Sequence, residues 1–190
     1  MPELSLAAKA FLLAYDADKQ DLTRKRHLGI VLRGAVLAEL AIAGLLVDSG
    51  GKAEVSAAFR PADPFLADAL AEIGDSRLAG WKSLVRRNGG ATYARVRDSL
   101  VERGVIRIGS RRALGVAPVE QIIATDPAGV RELQSHVVGV LRGAVPVHEV
   151  AREDAALVGL ASAGRLLRKR SVRGTVEAPG AHQGARRARR

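Results

Sequence analysis

Cysteine is absent from the 190 residues. That absence removes disulfides, thiolate zinc sites and a cysteine nucleophile together. Aromatic side chains are nearly as scarce, with one Trp, two Tyr and three Phe. Ala, Val and Leu must fill the interior instead. This favours closely packed helices over an aromatic-rich barrel or a base-stacking surface. His27, His136, His148 and His182 show neither H-x-x-x-H nor H-E-x-x-H spacing, so no metal and no cofactor is expected. G-x-S-x-G is missing, and SGGK at 49–52 reads as a hairpin turn, not a phosphate loop. Asp63 and Asp68 sit near one helix start and read as capping and solvated residues. The chain is therefore read as non-enzymatic. No basic, apolar leader opens it, and Arg33 and Glu39 interrupt its longest apolar run. The expectation is a cytoplasmic protein that can lie on a membrane surface but does not span one.

What is present is positive charge, unevenly placed. The formal net charge is +10. From Arg165 onward there are nine Arg or Lys against one acid, Glu177, so +8 belongs to the tail and +2 to the rest. The body is near neutral, and the basic tail has three readings: a contact to anionic lipid, a contact to nucleic acid without sequence preference, or a solvated end without a role of its own.

The apolar spacing predicts mostly helix. Leu4, Ala8, Phe11, Leu12 and Tyr15 recur at helical intervals behind Ser5 as N-cap. DADKQD reads as a turn. The run LGIVLRGAVLAELAIAGLLVD contains a helix from 23 or 27 to 43, stopped by Gly44. Being apolar all round, it is expected to be the central, buried helix. LLVDSGGKAEVSAAF reads as a hairpin turning at 48–51 and continuing through Val55 and Phe59. A third helix follows, with Asp63 as N-cap and Pro64 at its first position, ended by Gly74. SRLAGWKSLVRR is a short helix with Leu78, Trp81, Leu84 and Val85 on one face, and Trp81 is expected in the core. ATYARVRDSLVERG is a helix closed by Gly104. VIRIGSRRALGVAP reads as a second hairpin, pairing Val105, Ile106 and Ile108 with Leu114 and Val116 across a GSRR turn. TDPAGVRELQSHVVGVLRGA is a helix capped by Asp126, and HEVAREDAALVGLASAGRLLRKR is the last. The fold class is mainly α: a single helical domain over 1–170 around a buried central helix, with two small β-hairpins. Residues 171–190 lack apolar period and read as a basic disordered tail.

Arg33, in the middle of that central helix, needs explaining, because an isolated charge loses its hydration when buried. Glu39 is a poor partner, since six residues rotate it about 120° around the helix. Either a carboxylate from another helix neutralises Arg33, or the guanidinium meets an anion from outside.

The order of these segments resembles the Golgi phosphoprotein 3 family, in its bacterial branch. Leu32-Arg33-Gly34, leading to Glu39-Leu40-Ala41-Ile42-Ala43-Gly44, is similar to a family helix reading Leu-Arg-Gly, then Glu-Leu-Ala-Leu-x-Gly-Arg. Residues 63–70, DPFLADAL, fit a Gly-Asp-x-Leu-Leu-Asp-Glu-Ala-Leu segment. Trp81 fits a family Trp. Leu100-Val101-Glu102-Arg103-Gly104-Val105 fits Leu-Val-Glu-Lys-Gly-Val before the family's hairpin. The resemblance spans about 4–167. It implies a mainly helical, non-enzymatic peripheral membrane protein. Eukaryotic members bind phosphatidylinositol 4-phosphate and hold the tails of client glycosyltransferases as adaptors.

Carried over by position, Arg33 matches an Arg that contacts the lipid phosphate, which a guanidinium can grip through two N–H groups. The family's lipid-contacting Trp falls on Arg24, and two further Arg fall on Gly90 and Tyr93. Arg95 and Arg97 lie close by in sequence. The candidate lipid-phosphate residues are therefore Arg33, Arg24, Arg95 and Arg97. The resemblance also implies a homo-oligomer through the 105–117 hairpin, with Arg111, Arg112, Leu114 and Val116 as its residues. The expected partners are an anionic phospholipid surface and a client protein tail. The alternative is a winged-helix-like DNA-binding regulator, with Arg111 and Arg112 on phosphates. The family continues beyond the last helix with further helices where this chain runs SVRGTVEAPGAHQGARRARR, so the groove they cover is expected to be open.

Overall fold

A computed structural model describes residues 4–23, 25–56, 60–75, 80–111 and 119–167. Among these lie seven α-helices and three two-stranded antiparallel sheets. The mainly α reading holds. The 171–190 tail, Leu78 and Phe59 fall outside the described residues.

Local chemistry sets most helix ends. Helix α1 (Leu6–Leu13) begins where the Ser5 hydroxyl accepts from the Ala8 amide at 3.2 Å, satisfying one of the orphan donors of the first turn. Helix α2 (Lys25–Ile42) ends just before Gly44, whose φ of +72° suits it to closing a helix. Helix α3 (Pro64–Asp75) starts under the Asp63 carboxylate, which accepts from Phe65 and Leu66. Helices α4 (Trp81–Arg86) and α5 (Gly89–Glu102) follow. Helix α6 (Pro127–Leu141) is capped by Asp126 through the Gly129 amide at 2.9 Å. Helix α7 (Arg152–Ala163) is shorter than the sequence suggests. A 3-10 turn at Val147–Glu149 and extended Val150 precede it. Glu153 and Asp154 then favour a fresh helix start at its positive N-terminal end.

Helix α2 is the hub. It packs against α1, α3, α4, α5 and α7, while α6 covers α1 and α7. Leu28, Leu32, Ala35, Val36 and Leu40 are fully buried, and Phe11, Leu12 and Leu13 of α1 join them in one core. Each buried Leu, Val or Phe among them contributes about 1.5–3 kcal/mol of burial energy. Helix α2 is not covered all round, however, because Ile30 is 40% exposed. Trp81 packs against the core as expected, and its indole N–H donates to Asp48. No helix among the described residues is long and apolar enough to cross a membrane.

The sheets need two corrections. The DADKQD turn closes a third hairpin, β1 (Tyr15–Asp16) with β2 (Asp21–Leu22). The hairpin β3 (Leu46–Ser49) with β4 (Lys52–Val55) is as read, and Gly50 and Gly51 both have the positive φ its two-residue turn demands. The last hairpin differs. Strand β5 (Ile106–Arg111) includes Gly109, Ser110 and Arg111 of the supposed GSRR turn and pairs with β6 (Val119–Ala124). Ile106 faces Ala124 and Ile108 faces Ile122, in place of Leu114 and Val116. VEQIIA supplies the stronger strand because it buries Ile122 and Ala124 beside Ile106. Arg111 is on β5, while Arg112, Leu114 and Val116 lie outside the described residues.

Glu39 turns away from Arg33 and accepts from the Leu6 amide at 3.1 Å, at the start of α1. Burial pushes its carboxyl above the ordinary carboxylate range. The Leu6 hydrogen bond and Lys9 oppose the shift, while Asp63 and Glu153 add to it. A carboxyl raised in the folded state favours folding while protonated, and that advantage is lost as pH rises through the folded value. Glu39→Gln keeps an acceptor for Leu6. It should flatten stability above the carboxylate range and leave the melting temperature at neutral pH equal to the parent's or higher. Thermal melts across that range check this, and a steeper decline in the variant would refute it.

Candidate functional site

Three helices meet around Arg33. Helix α2 contributes Arg33 itself. Helix α3 presents Phe65, Asp68 and Glu72, spaced three and four residues apart along one face. Helix α5 brings Thr92 and Arg95. Together they line a pocket of about 250 Å³.

Arg33 is only 2% exposed, yet it is not alone. Its Nη2 lies 3.0 Å from Glu72 Oε1, and its Nε donates to the Leu84 carbonyl at 3.4 Å. A carboxylate from another helix thus neutralises it, and that carboxylate comes from α3. Arg95 is held differently. Its Nη2 lies 2.8 Å from Asp68 Oδ2, with both side chains more than half exposed, and its guanidinium lies 5.4 Å from the Phe65 ring centre. An exposed pair of this kind contributes about 0–1 kcal/mol. The aromatic face adds a cation–π contact of similar size, about 0.5–1 kcal/mol. The pocket therefore has a fixed, internally neutralised cation at its floor and an easily released one at its rim.

Of the four candidate residues, the structure brings together Arg33 and Arg95. Arg97 points elsewhere. It pairs with Asp98 at 2.8 Å and reaches Glu120 of β6 at 3.6 Å, tying α5 to the last hairpin. The hydrogen bond with Asp98 pushes its guanidinium further up, so it stays charged. Arg24 lies outside the described residues. Tyr93, where the family resemblance supplies an Arg, stacks on Phe11 with ring centres 5.7 Å apart. Burial raises its hydroxyl pKa, and Glu120 adds to the rise. Gly90 is exposed, with open space around it.

Glu72 and Phe65 are the residues that sequence reasoning missed. Glu72 is the one acid on α3 that sits a full two turns from Phe65 and one turn from Asp68. That spacing could have marked the face, but not its partner 39 residues away.

Residues 6–190 match the family model described as Golgi phosphoprotein 3 (GPP34). Among curated proteins none matches the chain.

Proposed function

We propose that this chain, which belongs to the Golgi phosphoprotein 3 family, is a non-enzymatic peripheral membrane protein whose Arg33–Arg95 pocket takes the phosphate of an anionic lipid headgroup. One observation carries the reading: two guanidinium groups line one pocket, and the outer one is held by an exposed carboxylate and an aromatic face alone among the described residues. A phosphate arriving at the rim replaces Asp68 on Arg95 at little cost. A planar guanidinium offers it two parallel N–H donors. Arg33 forms the floor, where Glu72 neutralises it and keeps it in place. An adaptor role, holding the tail of a client protein on the cytoplasmic face of a membrane, is part of the same proposal and rests on family membership.

Co-sedimentation with anionic and with neutral vesicles at physiological salt tests the reading, beside a duplex DNA gel shift. The parent should partition onto anionic vesicles alone. Arg95→Ala should reduce that partition about fivefold, given roughly 1 kcal/mol per basic residue near the surface, with a melting temperature lowered by only about 2–4 °C. Arg95→Lys should fall between them, because it keeps the charge and loses the fork. Equal partition by parent and Arg95→Ala would end the claim for this pocket. Retardation of duplex DNA without vesicle binding would end the lipid reading.

A further inference from the structure

A second, larger cavity of about 610 Å³ lies along an adjoining face of α2, between α2, α4 and α7. Its wall is apolar: Ile30, Val31, Val85, Leu160 and Ala163, with the two glycines Gly34 and Gly164 between them. Its other lining residues are His27 and Arg165, and no acid among the described residues lines it. Helices α2 and α7 run antiparallel along it. A Cβ on Gly34 would stand 3.2 Å from the Leu160 side chain, and one on Gly164 would stand 2.7 Å from Val31. Continuing that register brings His27 to the same end as Arg165. The groove is therefore polarised, with donors and positive charge at one mouth and hydrocarbon along its length. Arg165 makes no ion pair among the described residues. Its left-handed φ of +49° closes α7, where the Leu166 amide donates to the Ala161 carbonyl and the Arg165 amide to the Ser162 carbonyl, and so fixes Arg165 at the end of the groove.

We infer that this groove holds one alkyl chain of an anionic lipid, with the phosphate or carboxylate at the His27–Arg165 mouth. Charge complementarity selects this occupant. A purely apolar ligand leaves the cationic mouth without a counter-charge, and a basic segment is repelled by it. The site is separate from the Arg33–Arg95 pocket, but the choice of ligand class rests on the lipid-binding reading above. The alkyl chain leaves water for an apolar wall that is already formed, so little reorganisation opposes binding.

Calorimetric titration of the full chain with decyl phosphate, below its micelle concentration, tests the groove without a bilayer. In the Arg95→Ala variant, which removes the outer cation of the other pocket, saturable one-to-one binding is expected, with no comparable heat from inorganic phosphate or from neutral decyl maltoside. Ala163→Phe fills the groove from an exposed position on α7, and Ile30→Asp places a negative charge on the α2 wall. Each should weaken decyl phosphate binding by about tenfold or more at an unchanged melting temperature. Unaltered affinity in both variants, or equal binding of decyl maltoside, would overturn the inference. So would binding that emerges only after residues 168–190 are removed, since the chain's own segment would then be the occupant. Anionic-vesicle binding without decyl phosphate binding defeats this inference alone. Loss of both defeats the lipid reading as well.

Discussion

Glu72→Ala is expected to destabilise the protein by about 3–5 kcal/mol, the usual penalty for stranding a buried charge. Arg33 is 2% exposed and cannot recover its hydration when its carboxylate partner is removed. The reverse truncation has a different origin. Arg33→Ala leaves Glu72, whose side chain is 31% exposed and can turn to water. It loses chiefly the packing of a large buried side chain, worth about 2–4 kcal/mol by comparison with other buried truncations. The combined change Arg33→Met with Glu72→Leu should be nearer neutral, because it removes both charges and keeps the volume. Urea unfolding of the four proteins checks this order. Singles that each lose less than about 1 kcal/mol would show the pair to be an ordinary surface contact. The same series bears on function. If the pocket takes phosphate, inorganic phosphate should raise the melting temperature of Glu72→Ala more than that of the parent, by supplying the missing counter-charge to Arg33.

Gly29→Ala should also destabilise, although alanine is the better helix former by about 1 kcal/mol. Helices α2 and α5 cross where Gly29 meets Gly89, and a Cβ on Gly29 would lie 2.4 Å from the Gly89 carbonyl oxygen. The obstacle is backbone, so no rotamer change relieves it and the helices must separate. Overpacking of this kind costs about 1–3 kcal/mol, which outweighs the propensity gain. The neighbouring Gly90→Ala is the control. Gly90 has nothing within contact distance and lies in the first turn of the same helix α5. That change should be neutral or stabilising by up to about 1 kcal/mol. Matched melts of the two variants decide it. Separation of α2 from α5 would also widen the pocket floor, so Gly29→Ala should weaken anionic-vesicle binding alongside stability.

The elements that local chemistry controls were legible before the fold was known. Ser5, Asp63 and Asp126 announce helix starts because a side-chain oxygen caps amides two or three residues ahead. Gly44, Gly50 and Gly51 announce reversals because the backbone there has positive φ. The apolar density around Leu32, Val36 and Leu40 marks α2 as central, since so much apolar surface must be covered from several sides. The last hairpin is not legible in the sequence, because a basic Gly-Ser-Arg stretch has the composition of a turn. Strand pairing between Ile106 and Ala124 depends instead on which apolar residues reach the same core.

The sequence by itself determined a helical body, its hub, its caps, a near-neutral charge with a basic end, and the question posed by Arg33. It also determined the family, through the order of segments whose match runs over residues 6–190. Only the tertiary structure decided what Arg33 touches. An ion pair across 39 residues has no period in the chain and follows from how α3 crosses α2. The same holds for the pairing of Arg95 with Asp68, for Arg97 serving the hairpin, and for the polarised groove between α2 and α7. Capping and turn energies act over a few residues, so the local order of amino acids contains them. Charge partners and cavities arise where distant surfaces meet, and the packing of helices fixes them.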